Sequence, residues 1–154
     1  MLQGRRKSQR PLSTKNPIHL IIKADHSALF SPSNQRLEKL IHQVAYKFHI
    51  QIQKMAINWS HIHFVVKLKD RKDYVGFIRA LTSLISQRVR KFKPDIKQIF
   101  TLRPFTRILH YGRDLTNVFS YVEKNQMEAA GLSSRKKSKK KAAGEGKERT
   151  IRTK

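Results

Sequence analysis

Two histidines separated by one residue, His61 and His63, begin an alternating apolar run, HIHFVVKL. Side chains two apart in an extended strand project from the same face, so both imidazoles would point the same way, followed by Val65 and Lys67. The opposite face would carry the core side chains Ile62, Phe64, Val66 and Leu68. Neutral imidazole is the commonest protein ligand for metals. The spacing therefore predicts half of a metal site, although it also fits two solvated or hydrogen-bonded histidines.

A second set of polar side chains lies far downstream, in the segment SYVEKNQMEAAGL. Helical spacing places Tyr121 at the flank of an apolar stripe, with Asn125 one turn further along and closer to the core. That stripe consists of Leu115, Val118, Phe119 and Val122. A phenol and an amide placed there could both face the histidine pair, with Gln126 as a competing amide. A tyrosine packed at the rim of the core gives the same pattern.

Charge and cysteine content narrow the classes of partner and of site. The chain of 154 residues has 34 Lys and Arg against 10 Asp and Glu, a net charge of +24, which favours a polyanionic partner, most simply nucleic acid. It contains no cysteine, which excludes disulfides, zinc–thiolate sites and a cysteine nucleophile. A metal would therefore be held by nitrogen or oxygen ligands, which favours Mg²⁺ or Mn²⁺ beside a phosphate.

Both ends of the chain differ from its middle. Residues 1–15 carry five basic residues and no acidic one, and residues 133–154 carry ten basic and two acidic residues. Such segments bury too little apolar surface to fold alone, so we predict two disordered basic arms around a folded domain at 16–132. We expect no membrane association, because no apolar stretch approaches ~18 residues and no strongly apolar helix with a basic face stands out. We expect no secretion signal, because no hydrophobic segment follows the basic first ten residues. The expected location is the cytoplasm, in association with the nucleoid.

The middle segment predicts the element order β-α-β-β-α-β-α. We therefore expect an α+β, ferredoxin-like fold, with an antiparallel sheet, helices on one side and the tyrosine on the C-terminal helix. Asp70 is expected to cap the second helix, and Asp114 or Thr116 to open the last one. The expected spans are strands at 17–23, 50–58, 61–68 and within 99–111 (an edge strand, because of its proline), and helices at 34–49, 70–93 and 114–130.

The histidine pair and the tyrosine helix together resemble the single-tyrosine HUH transposases, and more narrowly the REP-associated tyrosine transposases and their relatives. Family members commonly have a strand with His-hydrophobic-His and a C-terminal helix with Tyr-hydrophobic-x-x-Asn before Ala-Gly-Leu. This chain matches that helix at Tyr121, Val122, Asn125 and 130–132. It departs from the family where Trp59-Ser60 replaces a common Pro-Asn before the first histidine, and where Gln126 replaces a common proline. The resemblance spans residues 16–132.

The resemblance implies a transposase-like activity that depends on a divalent metal. His61, His63 and the amide of Asn125, or alternatively of Gln126, would hold Mg²⁺ or Mn²⁺. Tyr121 would attack the scissile phosphate of single-stranded DNA, which suits hairpin-forming ends, and would form a 5′-phosphotyrosine. Related transposases include homodimers and monomers, and the sequence favours neither.

Candidate DNA contacts follow from charge and aromatic character. Phe105 and Trp59 could stack on bases, and basic side chains could contact phosphates. We single out Trp59, Lys67, Arg79, Arg88, Arg103 and Arg107 as nucleic-acid-binding candidates. Outside the predicted pair, we interpret the histidines as structural or surface residues; among them, His19 could lie on a strand beside the site. The alternative function is a non-catalytic basic nucleic-acid-binding protein.

Overall fold

The computed structural model describes residues 10–132. These residues form four strands and three helices in the predicted order. The strands are β1 (Ile18–Lys23), β2 (Gln51–Ile57), β3 (His61–Lys67) and β4 (Phe105–Ile108), and the helices are α1 (Gln35–Lys47), α2 (Arg71–Phe92) and α3 (Arg113–Ala129). The predicted basic arms at 1–9 and 133–154 lie outside the described residues.

The four strands form one antiparallel sheet in the order β2-β3-β1-β4. Consequently β3 lies between β2 and β1, and β4 is at an edge, as its proline predicts. The strand within 99–111 is only four residues long and starts directly after Pro104. The histidine strand is therefore central in the sheet, which fixes its side chains more firmly than an edge strand would.

The two faces of the sheet bury different cores. Ile62, Phe64 and Val66 of β3 pack with β1 under α1 and α2, as the alternation predicts. Val65 points to the other face, where it joins Val118 and Val122 of α3. The expectation of helices on one side therefore holds for α1 and α2, whereas α3 packs on the opposite face. The histidine phase of β3 faces α3, because it has the same parity as Val65.

A bulge in β2 adjusts which side chains meet each face. Ile52 lies opposite Val66 and Lys54 lies opposite Val65, so Gln53 is the extra residue. This shift places Ile52 and Met55 against the α1–α2 core although they are three apart in sequence. It leaves Lys54 on the α3 face, where its Nζ lies 3.4 Å from Glu123 Oε2.

The residues at the start of α2 and at both ends of α3 show how these two helices begin and end. The Asp70 carboxylate accepts from Lys72 N–H at 3.0 Å, which confirms the predicted cap of α2. The last helix starts at Arg113 after Gly112, so neither Asp114 nor Thr116 is its cap. Gly131, at φ +75°, ends α3, with its N–H on Glu128 O and Leu132 N–H on Met127 O.

Residues 10–15 lie against the domain, although the sequence assigns them to the N-terminal arm. The Arg10 guanidinium donates to Tyr74 Oη at 2.8 Å and also to the carbonyl of Pro104. The burial of Tyr74 raises the pKa of its phenol, an effect opposed by the nearby Arg10 charge. Among residues 10–132, no helix is long and apolar enough to cross a membrane.

Gly76 of α2 lies against the ring of Phe48, and a Cβ there would be 2.3 Å from Phe48 Cε1. We expect Gly76→Ala to lower the free energy of unfolding by about 1–2 kcal/mol, because overpacking outweighs the gain in helix propensity. In a Phe48→Ala background the same change should instead stabilise by about 1 kcal/mol. Urea denaturation of the four proteins measures this, and stabilisation in both backgrounds would show that the ring moves aside at little cost.

Candidate functional site

The predicted histidine pair lies on the α3 face of the central strand. His63 is 2% exposed, and it lies between Ile21 of β1 and Ala56 of β2. His61, at the start of β3, is partly buried, and its ring centroid is 4.7 Å from that of His63 at an interplanar angle of 80°. The structure thus confirms that both imidazoles share one face, but only His63 is enclosed.

A third histidine completes the cluster. His19 of β1 is 6% exposed, and its Nε2 lies 3.3 Å from His63 Nδ1. The two rings are nearly parallel, with centroids 5.5 Å apart and an interplanar angle of 16°. The other ring nitrogen of His63, Nε2, is buried without a hydrogen-bond partner. An unpaired buried nitrogen is costly, so this atom is a candidate for binding something from outside the chain.

His61 is held by the turn that precedes it. Its Nε2 lies 3.1 Å from the Asn58 side-chain amide, and its Nδ1 lies 3.1 Å from Ser60 Oγ. These contacts orient the ring beside His63. A ligand that takes a lone pair from His61 must therefore displace one of these two partners.

The nucleophile candidate reaches the histidines from α3. The ring of Tyr121 meets His63 edge-on at a centroid distance of 5.5 Å, and it meets His19 in the same way at 6.2 Å. Tyr121 is 45% exposed, so one side of the phenol is open to solvent. The structure therefore brings together His61, His63 and Tyr121, residues that lie up to 60 positions apart in sequence.

Asn125 lies one helical turn beyond Tyr121 and is 8% exposed. Its Nδ2 donates to the carbonyl of Tyr121 at 2.7 Å, which ties the amide to the helix and leaves Oδ1 as its potential ligand atom. The neighbouring Gln126 is exposed and lines a small depression with Met55 and Ile57, side chains of the α1–α2 side of β2. Burial on the sheet side thus favours Asn125 over Gln126 as a site residue.

Burial favours the neutral form of the two buried histidines, His19 and His63. Desolvation, then the charges of His61 and His19, lower the pKa of His63 from 6.5 to about 4. Desolvation, followed by the positive charge of Arg107, also lowers the pKa of His19. Neutral imidazole has a lone pair available at neutral pH, so His63 is prepared to bind a cation.

The histidines could bind a metal ion only together with a further ligand of another residue type. In the described part of the chain, no group of three His, Cys, Asp or Glu side chains is arranged to bind an ion. A further protein ligand would have to be of another type, and the candidate is the buried Asn125 amide, one helical turn from Tyr121. The buried, unpaired His63 Nε2 is the observation that fits a cation there.

An aromatic and basic rim lies on the β4 side. Phe105 is 53% exposed, and its ring is edge-on to His19 at 6.4 Å. Arg107 is exposed and paired with Asp114, whose carboxylate also accepts from His110 N–H at 3.1 Å. Arg103 is exposed just before β4. Trp59, which is 53% exposed, lies instead in the turn between β2 and β3.

Three predicted nucleic-acid contacts lie away from the tyrosine. Lys67 is on the histidine face but at the far end of β3 from His61, roughly 20 Å along a strand of this length. Arg79 and Arg88 are exposed on α2, across the sheet from Tyr121. A groove of about 730 Å³ between α1 and α2 is also on that side. At the candidate site itself, Tyr121 and Phe105 are about half exposed, whereas His19 and His63 are buried.

His19 belongs to the histidine cluster, whereas the sequence predicts a structural or surface residue that could lie on a strand beside the site. The available signal was phase: His19 alternates with Ile18 and Leu20, both core residues, so it points to the opposite face. That this face is also the His63 face depends on the pairing of β1 with β3, where His19 lies opposite Val65. The sequence alone does not give that register.

The model of the IS200-like transposase family matches residues 13–125. Among solved structures, the chain is similar to a REP-associated tyrosine transposase bound to a REP hairpin, with a TM-score of 0.56, 16% identity, and coverage of 86% of this chain and 76% of that one. It is also similar to a candidate transposase from Deinococcus radiodurans R1 (TM-score 0.51, 15% identity, 81% and 98% covered). No curated protein sequence matches the chain.

The lowered pKa of His63 predicts a pH dependence of stability in the metal-free protein. Between pH 6.5 and about 4, His63 is protonated in the unfolded state but neutral in the folded state. The free energy of unfolding therefore decreases as the pH falls through this range. The loss should be on the order of 3 kcal/mol across that window. Urea denaturation in EDTA should show a shallower decline for His63→Gln, with exposed His42→Gln as the control. Equal slopes for wild type and His63→Gln would contradict the assignment.

Proposed function

Because this chain belongs to the IS200-like transposase family, we propose that it is a divalent-metal-dependent endonuclease and strand transferase acting on single-stranded DNA. Tyr121 is the proposed nucleophile. The observation that carries the proposal is the contact between the half-exposed Tyr121 ring and the buried His63, whose Nε2 has no partner. A phenol beside a neutral imidazole whose Nε2 has no partner places a nucleophile next to a candidate cation site.

The proposed chemical step is a displacement at phosphorus. The Tyr121 oxygen attacks in line, the bond from phosphorus to the 3′ oxygen breaks, and a 5′-phosphotyrosine forms. The phenol proton passes to solvent, which reaches the exposed side of the ring, and the departing 3′ oxygen takes up a proton. The intermediate conserves one phosphodiester-like bond, so another 3′-hydroxyl can rejoin the strand. This outcome suits transposition rather than degradation.

His61, His63 and Asn125 are the residues proposed to hold the metal, Mg²⁺ or Mn²⁺. A bound divalent cation would polarise the scissile phosphate and offset the negative charge that develops on its oxygens. His63 contributes a lone pair on a ring held rigidly in the sheet. Asn58 and Ser60 orient His61 and would give way at one nitrogen when the ion binds.

The proposed substrate follows from the charge of the chain and from the exposed side chains at the site. A net charge of +24 supplies strong, salt-sensitive attraction to a phosphate backbone. Phe105 offers a stacking surface beside His19, and Arg103 a nearby cation. An unpaired strand lets the scissile phosphate approach a helix-borne phenol. The solved transposase with a REP hairpin supports a hairpin-forming DNA as the partner here.

Removing the Tyr121 hydroxyl should abolish the covalent protein–DNA adduct, because the attacking oxygen is lost while the ring keeps its packing. We expect Tyr121→Phe to lower adduct yield by at least about 10³-fold. The assay incubates protein with labelled single-stranded hairpin DNA from the flanks of the gene and Mn²⁺, followed by denaturing electrophoresis.

The matched control is Tyr46→Phe, which removes a hydroxyl from an 88% exposed tyrosine on α1, across the sheet. It should keep the wild-type yield. An adduct of normal yield in Tyr121→Phe would refute the nucleophile. Tight binding without any adduct, in EDTA and in Mn²⁺ alike, would instead favour the non-catalytic nucleic-acid-binding alternative.

The two adjacent amides of α3 can be separated by substitution. We expect Asn125→Ala to weaken Mn²⁺ binding about 10–100-fold, because a ligand on the sheet side is lost. Gln126→Ala should bind as the wild type does, since its side chain is exposed beyond the site. Electron paramagnetic resonance of free Mn²⁺ measures both affinities. A loss confined to Gln126→Ala would reverse the assignment.

A further inference from the structure

The proposed chemistry does not explain the hydrogen bond between the two buried histidines, His19 and His63. We propose that His19 is a positioning residue, which accepts a hydrogen bond from His63 Nδ1–H and thereby holds the lone pair of His63 on Nε2. The inference rests on the proposed function, since it gives His63 Nε2 the role of metal ligand. His19 itself touches neither metal nor DNA in this account.

The geometry allows only two arrangements of the shared proton. A neutral imidazole has one N–H and one lone pair, and His19 Nε2 lies 3.3 Å from His63 Nδ1. If His19 donates, His63 Nε2 must carry its proton into a buried position that offers no acceptor. If His63 donates, its Nε2 presents a lone pair there instead. Only the second arrangement can bind a cation, and a partner on the other nitrogen is how ligand histidines are usually oriented.

The surroundings hold His19 in place for this role. Its ring is 6% exposed and is flanked edge-on by Phe105 and Tyr121. Its strand, β1, is hydrogen-bonded to β3 on one side and to β4 on the other, so its backbone cannot shift easily. The groups facing it are Arg107, directly opposite on β4, and the His63 and Tyr121 rings. A clamped acceptor fixes both the rotation and the tautomer of His63.

The direct test is the ring tautomer of His63 in the metal-free full-length protein. Long-range ¹H–¹⁵N spectra of histidine-labelled protein, assigned with His63→Gln, distinguish an Nδ1–H ring from an Nε2–H ring. We expect the Nδ1–H form in the wild type and its loss in His19→Phe, which keeps an aromatic ring but cannot accept. His19→Gln places an amide oxygen near the former Nε2 and should restore the Nδ1–H form. A wild-type His63 in the Nε2–H form, or no change in His19→Phe, would overturn the proposal.

A second measurement separates this inference from the proposed function. Titration with Mn²⁺ alone should show about 10–100-fold weaker binding for His19→Phe and near-wild-type binding for His19→Gln. His110→Phe, a change at an exposed histidine, is the control and should bind normally. If the wild type binds no Mn²⁺, the proposed metal role fails, while the tautomer spectra still decide what His19 does. Equal Mn²⁺ affinity in His19→Phe and the wild type would refute the positioning role.

Discussion

The packing of α3 across the free face of the sheet is the constraint on which the candidate site depends. Val118 and Val122 lie against Val65 and the small Ala56, and full burial of a side chain like Val122 contributes about 1.5–3 kcal/mol. Ala56 lies directly opposite His63 across β2 and β3, so the same contact that anchors the helix also lies beside the buried imidazole. The distance from Tyr121 to His63 is therefore set by an apolar interface rather than by a bond between the two.

The opposite face gives the site its rigidity. The core under α1 and α2 buries Phe64 and Phe77 completely and holds the central strands from behind. Side chains on central strands are positioned more accurately than side chains on loops, which suits a ligand cluster. The division of labour follows from one alternation in β3: odd positions serve the site and even positions serve the core. A one-residue slip of this strand would exchange the two sets.

The elements and their order could be predicted from periodicity because each signal is local. The alternation of β3, the apolar stripe of α2 and the Asp70 cap are each formed by residues that are close together in sequence. Three features could not be predicted, since they depend on non-local pairing. His19 joins His63 only through the register of β1 and β3. The apolar stripe of α3 shows that it is buried but not on which face, and the β2 bulge at Gln53 has no pattern in sequence that marks it.

The central claim is that Tyr121 becomes covalently attached to DNA, and peptide mapping of the adduct tests it most directly. Trypsin cleavage after Arg113 and Lys124 isolates Tyr121 as the single tyrosine of residues 114–124, apart from Tyr111 in the preceding peptide. After the Mn²⁺ reaction and nuclease trimming, mass spectrometry should find a nucleotide phosphate on Tyr121. A nucleotide on another residue, or an unmodified 114–124 peptide from a protein that has cleaved its DNA, would contradict the account.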